Sequence, residues 1–312
     1  MKKNVYIIII CSLFIYACNE TNDIPLYSSI QSGEAMDYLD SNNEFSGCTD
    51  MNSINYDSAA VLDDGNCVTS ALAGWSLVWN DEFNGTELDL TKWNREVGVF
   101  VNNEEQIYTT SEFNSYVHNG FLNIIGESKL DSDTSYTSAR LNTSGKHSFK
   151  YGRFEASAKL PSSSGSWPAF WMLSEDIYTI GWPLSGEIDI IEYVSNDPGK
   201  IHSSIHCEDY NWVNQTESTD SYTLNNVSSG FNLYIVEWYA DKLIFKVNET
   251  IIHTFENDGF ENQSSWPFNT NFFLILNLAI GGDWVEGIDG VIADNYYDRF
   301  LIDYVRVYEI DE

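Results

Sequence analysis

Cationic side chains are scarce in this 312-residue chain: 15 Lys and Arg stand against 47 Asp and Glu, for a formal charge of −32. So negative a field repels phosphates, which argues against a nucleic-acid or anionic-lipid partner; it serves solubility in salt equally well. Nor is there an apolar run long enough to span a bilayer. The longest, Val5 to Ala17 behind Lys2 and Lys3, has the length of the hydrophobic segment of an export signal. Segment 1–17 is therefore expected to be a signal peptide of lipoprotein type, because Ile15-Tyr16-Ala17-Cys18 resembles a lipobox with Cys18 as the anchored residue. The expected location is outside the cytoplasm: outer membrane, cell surface, periplasm or medium.

Cysteine is also sparse. Five are present, of which Cys11 and Cys18 belong to the export segment; Cys48 and Cys67 bracket an acidic stretch where an exported protein can form a disulfide, and Cys207 is expected to be a buried thiol. Residues 18–73 have few large apolar side chains and many Asp, Asn and Ser, so they read as an acidic linker carrying a short Cys/Asp-rich element, not a packed core. No stretch has a sustained helical period, and no internal repeat is visible.

What the chain does have, from Trp75 onward, is short segments of alternating apolar and polar residues broken by Gly, Asn, Asp and Ser. Phe121–Ile125, Gly152–Leu160 and Lys242–Val247 are examples. Period two with aromatic and β-branched enrichment predicts strands, and many of them in succession predict one all-β sandwich or barrel over residues 74–312, the jelly-roll sandwich being the commonest such solution.

The sharpest local feature is Gly186-Glu187-Ile188-Asp189-Ile190-Ile191-Glu192. In a regular strand Glu187 and Asp189 share one face while Glu192 falls on the opposite, apolar one. A β-bulge near Ile190-Ile191 returns Glu192 to the face of the other two. Three acids in a row repel one another unless their pKa values split, the condition for acid/base chemistry. Two carboxyls so close suit a retaining glycosidase, in which they lie ~5–5.5 Å apart; an inverting enzyme needs a wider gap.

The segment Trp182 to Tyr193 resembles the active-site strand of glycoside hydrolase family 16, in its laminarinase (endo-1,3-β-glucanase) branch. Further matches are Trp79-Asn80-Asp81-Glu82-Phe83, Asn102 to Thr109, Tyr136 to Leu141, Tyr151 to Glu155, Trp167 to Met172, Asn277 to Gly282 and Asp303 to Tyr308. The resemblance implies a jelly-roll β-sandwich with a concave glycan-binding cleft, with Glu187 as nucleophile, Glu192 as general acid/base and Asp189 as the residue that holds a proton and orients the nucleophile. It places Trp167, Trp171, Trp182 and Trp284 as sugar-stacking residues, with Asn102, Arg140 and His206 as polar contacts. Trp75, Trp79 and Trp238 are assigned to the core, and His253 has no supporting context. The resemblance also implies a structural calcium at the Glu82 carboxylate, the Gly120 carbonyl and Asp303; catalysis itself is expected to need no cofactor. The expected partner is a neutral β-glucan, met by a monomer attached to a membrane only through its lipid. Mixed-linkage β-glucan, agar or carrageenan as substrate, and a non-catalytic glycan-binding module, are the competing readings; retention of all three acids speaks against the last.

Overall fold

The computed structural model describes residues 74–311 apart from 99–100, 130–135, 260–261 and 289, together with 46–48, 53, 60, 62–63, 67 and 71–72. The export segment and Cys18 lie outside the described residues. Cys48 and Cys67 are joined by a disulfide, and Cys207 is a fully buried free thiol. Among the described residues no helix is long and apolar enough to cross a membrane.

In chain order the sandwich strands are β1 (Trp75–Asp81), β2 (Asn94–Arg95), β3 (Gln106–Tyr108), β4 (Ser115–His118), β5 (Phe121–Ser128) and β6 (Tyr136–Ser138). Next come β7 (Arg140–Asn142), β8 (Gly152–Lys159), β9 (Ser166–Ser174), β10 (Glu187–Tyr193), β11 (Lys200–His206) and β12 (Ser218–Thr223). The last five are β13 (Asn232–Trp238), β14 (Lys242–Val247), β15 (Thr250–Glu256), β16 (Phe272–Ile280) and β17 (Tyr297–Ile310). One sheet runs β12-β11-β10-β9-β16-β7-β2. The other runs β15-β14-β13-β8-β17-β5-β6-β3, with β1 beside β17 and β4 beside β5.

Alternation explains the layering. On β8, Phe154, Ala156 and Ala158 enter the core between the sheets, where they join Ile188, Ile190 and Ile191 of β10 and Leu274, Leu276 and Leu278 of β16. The residues between them on β8 point outward. Arg153 there meets Glu155 (2.8 Å), Glu237 (3.0 Å) and Glu249 (2.5 Å), which keeps a buried guanidinium paired. Trp75, Trp79 and Trp238 are buried as expected. His253 acts as a clasp between the sheet edges, with Nδ1 2.7 Å from Asp220 Oδ2 and Nε2 3.2 Å from Ser218 Oγ.

The sheet that contains β10 therefore turns its apolar side to the core and its acid-bearing side to solvent. That outer side carries the cleft.

Candidate active site

Strand β10 lies between β9 and β11. Asp189 pairs with Ser204 and Glu192 with His202, so three steps along β10 match two along β11. The surplus residue falls at Ile190-Ile191, and both side chains are buried in the core at 1% exposure. This is the bulge expected from the sequence, and it turns Glu192 to the side of Glu187 and Asp189. Ser203, fully buried, donates from Oγ to the Ile190 carbonyl (2.7 Å), giving a partner to an acceptor displaced from the regular ladder. Gly186 leads into the strand at φ +86, where a Cβ would also sit 2.8 Å from Pro267 Cγ, so only glycine fits.

The three acids are electrostatically expensive. Burial, reinforced by the charge of Asp189, pushes the Glu187 carboxyl up to about 8. Burial likewise raises Glu192 to about 7, with Glu187 adding repulsion and His206 and Trp167 opposing the shift. Asp189 is raised well above the carboxylate range, by burial first and Glu192 second. The cluster thus retains protons at neutral pH. Glu187 and Asp189 are hydrogen-bonded, and His206 Nε2 lies 3.2 Å from Asp189 Oδ2. Glu192 Oε1 accepts a hydrogen bond from Trp167 Nε1 at 3.0 Å. One carboxyl is therefore tied into an acid pair while the other has an aromatic N–H to stabilise its charged form.

The cleft extends to both sides of these acids. On one side it is lined by Arg140, Trp171, Trp182, Glu104 and Asn277; on the other by His202, Ser204, Glu217, Thr219 and Trp284. Asn102, Trp167, Trp212, Glu187 and Glu192 belong to both. The structure thus brings together every expected catalytic and cleft residue. Trp167 and Trp171 share the outer face of β9. Trp284 meets the ring of Trp167 edge-on at 5.4 Å, and Arg140 lies over Trp171 at 4.6 Å while pairing with Glu96 at 3.0 Å. Trp182 precedes a cis peptide to Pro183 and packs 6.2 Å from His206, which is 7% exposed and lines the cleft beside Asp189. Asn102 has φ +63 and its carbonyl accepts from Asp283 N (2.8 Å), which joins the loop before β3 to the short helix Asp283–Gly287 that carries Trp284.

Several residues went unread in the sequence. Glu104 Oε2 accepts from Gln106 Nε2 (2.6 Å) and Tyr108 OH (3.1 Å), Asn277 Nδ2 donates to the Tyr108 hydroxyl (3.0 Å), and Trp171 Nε1 donates to Asn277 Oδ1 (2.7 Å). This network fixes the Trp171 platform, and burial raises the Glu104 carboxyl. The signal for it was present in the polar alternation of Glu104, Gln106 and Tyr108, a period-two row that runs from just before β3 along one of its faces. Trp212 and Glu217 sit on the connection between β11 and β12, whose place against the cleft no sequence pattern marks.

Glu82, expected as a calcium ligand, has protein partners in this structure. Its two carboxylate oxygens accept from Arg306 Nε (2.8 Å) and Nη2 (2.7 Å), with Asn80 Nδ2 adding 2.9 Å to one of them. A carboxylate gripped in this bidentate way is largely neutralised and has less to offer a hard cation, so of the expected set the Gly120 carbonyl and Asp303 remain the main oxygen donors. Asp303 Oδ2 meanwhile accepts from Ser157 Oγ (3.2 Å).

Comparison with known proteins agrees with this geometry. The profile of glycosyl hydrolases family 16 matches residues 91–304. A beta-glucanase of Rhodothermus marinus is 39% identical over 245 residues, covering 75% of this chain and 85% of its own. Among solved structures, the laminarinase from Rhodothermus marinus superposes with a TM-score of 0.73 at 37% identity, covering 78% of this chain and 100% of its own. SCLam, a non-specific endo-beta-1,3(4)-glucanase, gives 0.72 at 37% identity, covering 77% of this chain and 92% of its own. With the profile spanning more than half its length, the chain belongs to glycosyl hydrolases family 16.

Proposed function

We propose that this enzyme is a retaining, endo-acting hydrolase of β-1,3-glucans of the laminarin type. One observation carries the reading: the bulged strand sets Glu187, Asp189 and Glu192 side by side midway along a tryptophan-lined cleft. An open cleft that continues beyond the acids in both directions suits attack inside a chain. Tryptophans offer flat apolar area to the C–H faces of sugar rings, which neutral glucose units present.

In the reactive state the proton of the Glu187–Asp189 pair resides on Asp189, leaving Glu187 charged to attack the anomeric carbon. Glu192, raised to about 7 by burial, is protonated at mildly acidic pH and gives its proton to the leaving oxygen. It then removes a proton from the water that cleaves the glycosyl-enzyme. His206 compensates the negative charge as it moves through the cluster. Between them, these four side chains carry the whole cycle.

Mixed-linkage β-1,3-1,4-glucan is the second substrate, a reading favoured by the likeness to SCLam. Turnover is expected to be highest on laminarin and lower on mixed-linkage glucan, with none on agarose or carrageenan. Assaying all four with linkage analysis of the products tests this order; higher turnover on agarose or carrageenan than on laminarin contradicts it.

A further inference from the structure

The connection between β11 and β12 presents two side chains to the cleft that the acid strand does not account for. It is stiffened from within. Asn211, 1% exposed, donates from Nδ2 to the carbonyls of Cys207 (3.1 Å) and Glu208 (3.0 Å) and accepts at Oδ1 from Asn214 N (3.0 Å). These bonds hold a single 3-10 turn, Trp212–Asn214, at the cleft wall. Trp212 is 50% exposed there, with its ring 6.3 Å from that of Trp182 and inclined at 39°. A large indole held half in water by a rigid loop forfeits burial that the fold does not recover. A sugar ring laid on it would recover that area.

Glu217, at the end of the same connection, supplies the polar half. Its Oε2 is buried without a hydrogen-bond partner among the described residues, in the part of the cleft lined also by Ser204, His206 and Thr219. Ser204 Oγ donates to Thr219 Oγ1 (2.8 Å), so the Ser204 proton is already committed. A buried carboxylate oxygen needs a donor. Sugar hydroxyls are donors; sulfate esters and carboxyl groups bring like charge instead.

We propose that Trp212 and Glu217 form a sugar subsite on the β11–β12 side of the acids, which accepts an uncharged glucosyl unit and rejects sulfated or carboxylated ones. Trp212 stacks on the ring and Glu217 accepts from its hydroxyls. The inference rests on the glucan reading of the cleft and adds which half of it discriminates against charge.

The test compares kcat and KM on laminarin and on carboxymethylated β-1,3-glucan for the full chain and for Trp212→Ala, Trp212→Phe, Glu217→Gln and Glu217→Ala. Trp212→Ala should raise KM for laminarin roughly tenfold with a much smaller change in kcat, and Trp212→Phe should restore most of it. Glu217→Gln and Glu217→Ala should raise the ratio of kcat/KM on the carboxymethylated glucan to that on laminarin by about fivefold or more. An active wild type with KM unmoved by Trp212→Ala, or with the ratio unmoved by both Glu217 variants, overturns the subsite. A folded wild type that turns over neither glucan overturns the glucan reading itself.

Discussion

Trp167 contributes more to Glu192 than a wall of the cleft. Its indole N–H, 3.0 Å from Glu192 Oε1, stabilises the charged carboxylate and so restrains a pKa that burial drives upward. Trp167→Phe removes that donor and keeps an aromatic ring. The Glu192 pKa should rise, and the alkaline limb of the kcat/KM profile, where the acid loses its proton, should move to higher pH. A pH-rate profile of the variant checks this; a limb unmoved or shifted down would show that another group governs it. At this scale the sequence disclosed the acids because their spacing breaks period two, and the tryptophans because they crowd around that break. It did not disclose that Glu82 pairs with Arg306, 224 residues away, since pairing across that distance exists only once β1 lies beside β17. Trp212 and Glu217 stayed hidden because the connection that carries them meets the cleft only once the sheet is assembled.

Among the elements, β10 is where fold and chemistry meet. Without the bulge Glu192 would point into the core beside Ile188. The Ser203 hydroxyl, bound to the Ile190 carbonyl from the neighbouring strand, satisfies the backbone group that the bulge displaces. Ser203→Ala leaves that buried acceptor unpaired, a cost of about 1–3 kcal/mol. Activity should fall further than the stability loss explains, because a bulge that relaxes shifts Glu192 relative to Glu187. Thermal unfolding together with kcat at a temperature where the variant is fully folded separates the two effects; a variant destabilised but fully active would show that the bulge holds without Ser203. The bulge itself was legible because only one irregularity reconciles three acids on one face with three isoleucines on the other. The loops that frame it were not, since their placement depends on contacts between distant segments, such as Asn102 to Asp283, that no local pattern announces.

For the molecule as a whole, the acid cluster is a site of stored instability. Glu187 has a folded-state pKa raised to about 8, above its ordinary 4.5, so the folded chain binds more protons than the unfolded one between those values. Its contribution to stability is complete below about pH 4.5 and is lost as pH rises through about 8. Glu187→Gln removes the charge and with it this loss. The variant should melt higher than the wild type at pH 8, by about 2–4 °C for each kcal/mol relieved, and the gap should close toward pH 4. Melting curves across that range test it; equal melting temperatures at pH 8 would mean the cluster carries no such strain.

The two-sheet architecture was legible from alternation and turn spacing, while the direction of the cleft across the outer side of one sheet awaited the strand order. What the whole arrangement implies chemically is a covalent glycosyl-enzyme: Glu187 attacks from one side, Glu192 protonates the leaving oxygen, and water later enters from the side that the leaving group vacated. Two displacements restore the starting configuration. The most direct measurement is proton NMR of the anomeric signals in the first minutes of laminarin hydrolysis, before mutarotation blurs them. β-Configured reducing ends should appear first, with the α signal growing only as mutarotation proceeds; early accumulation of the α-anomer would mean inversion and would contradict the roles given to Glu187 and Glu192.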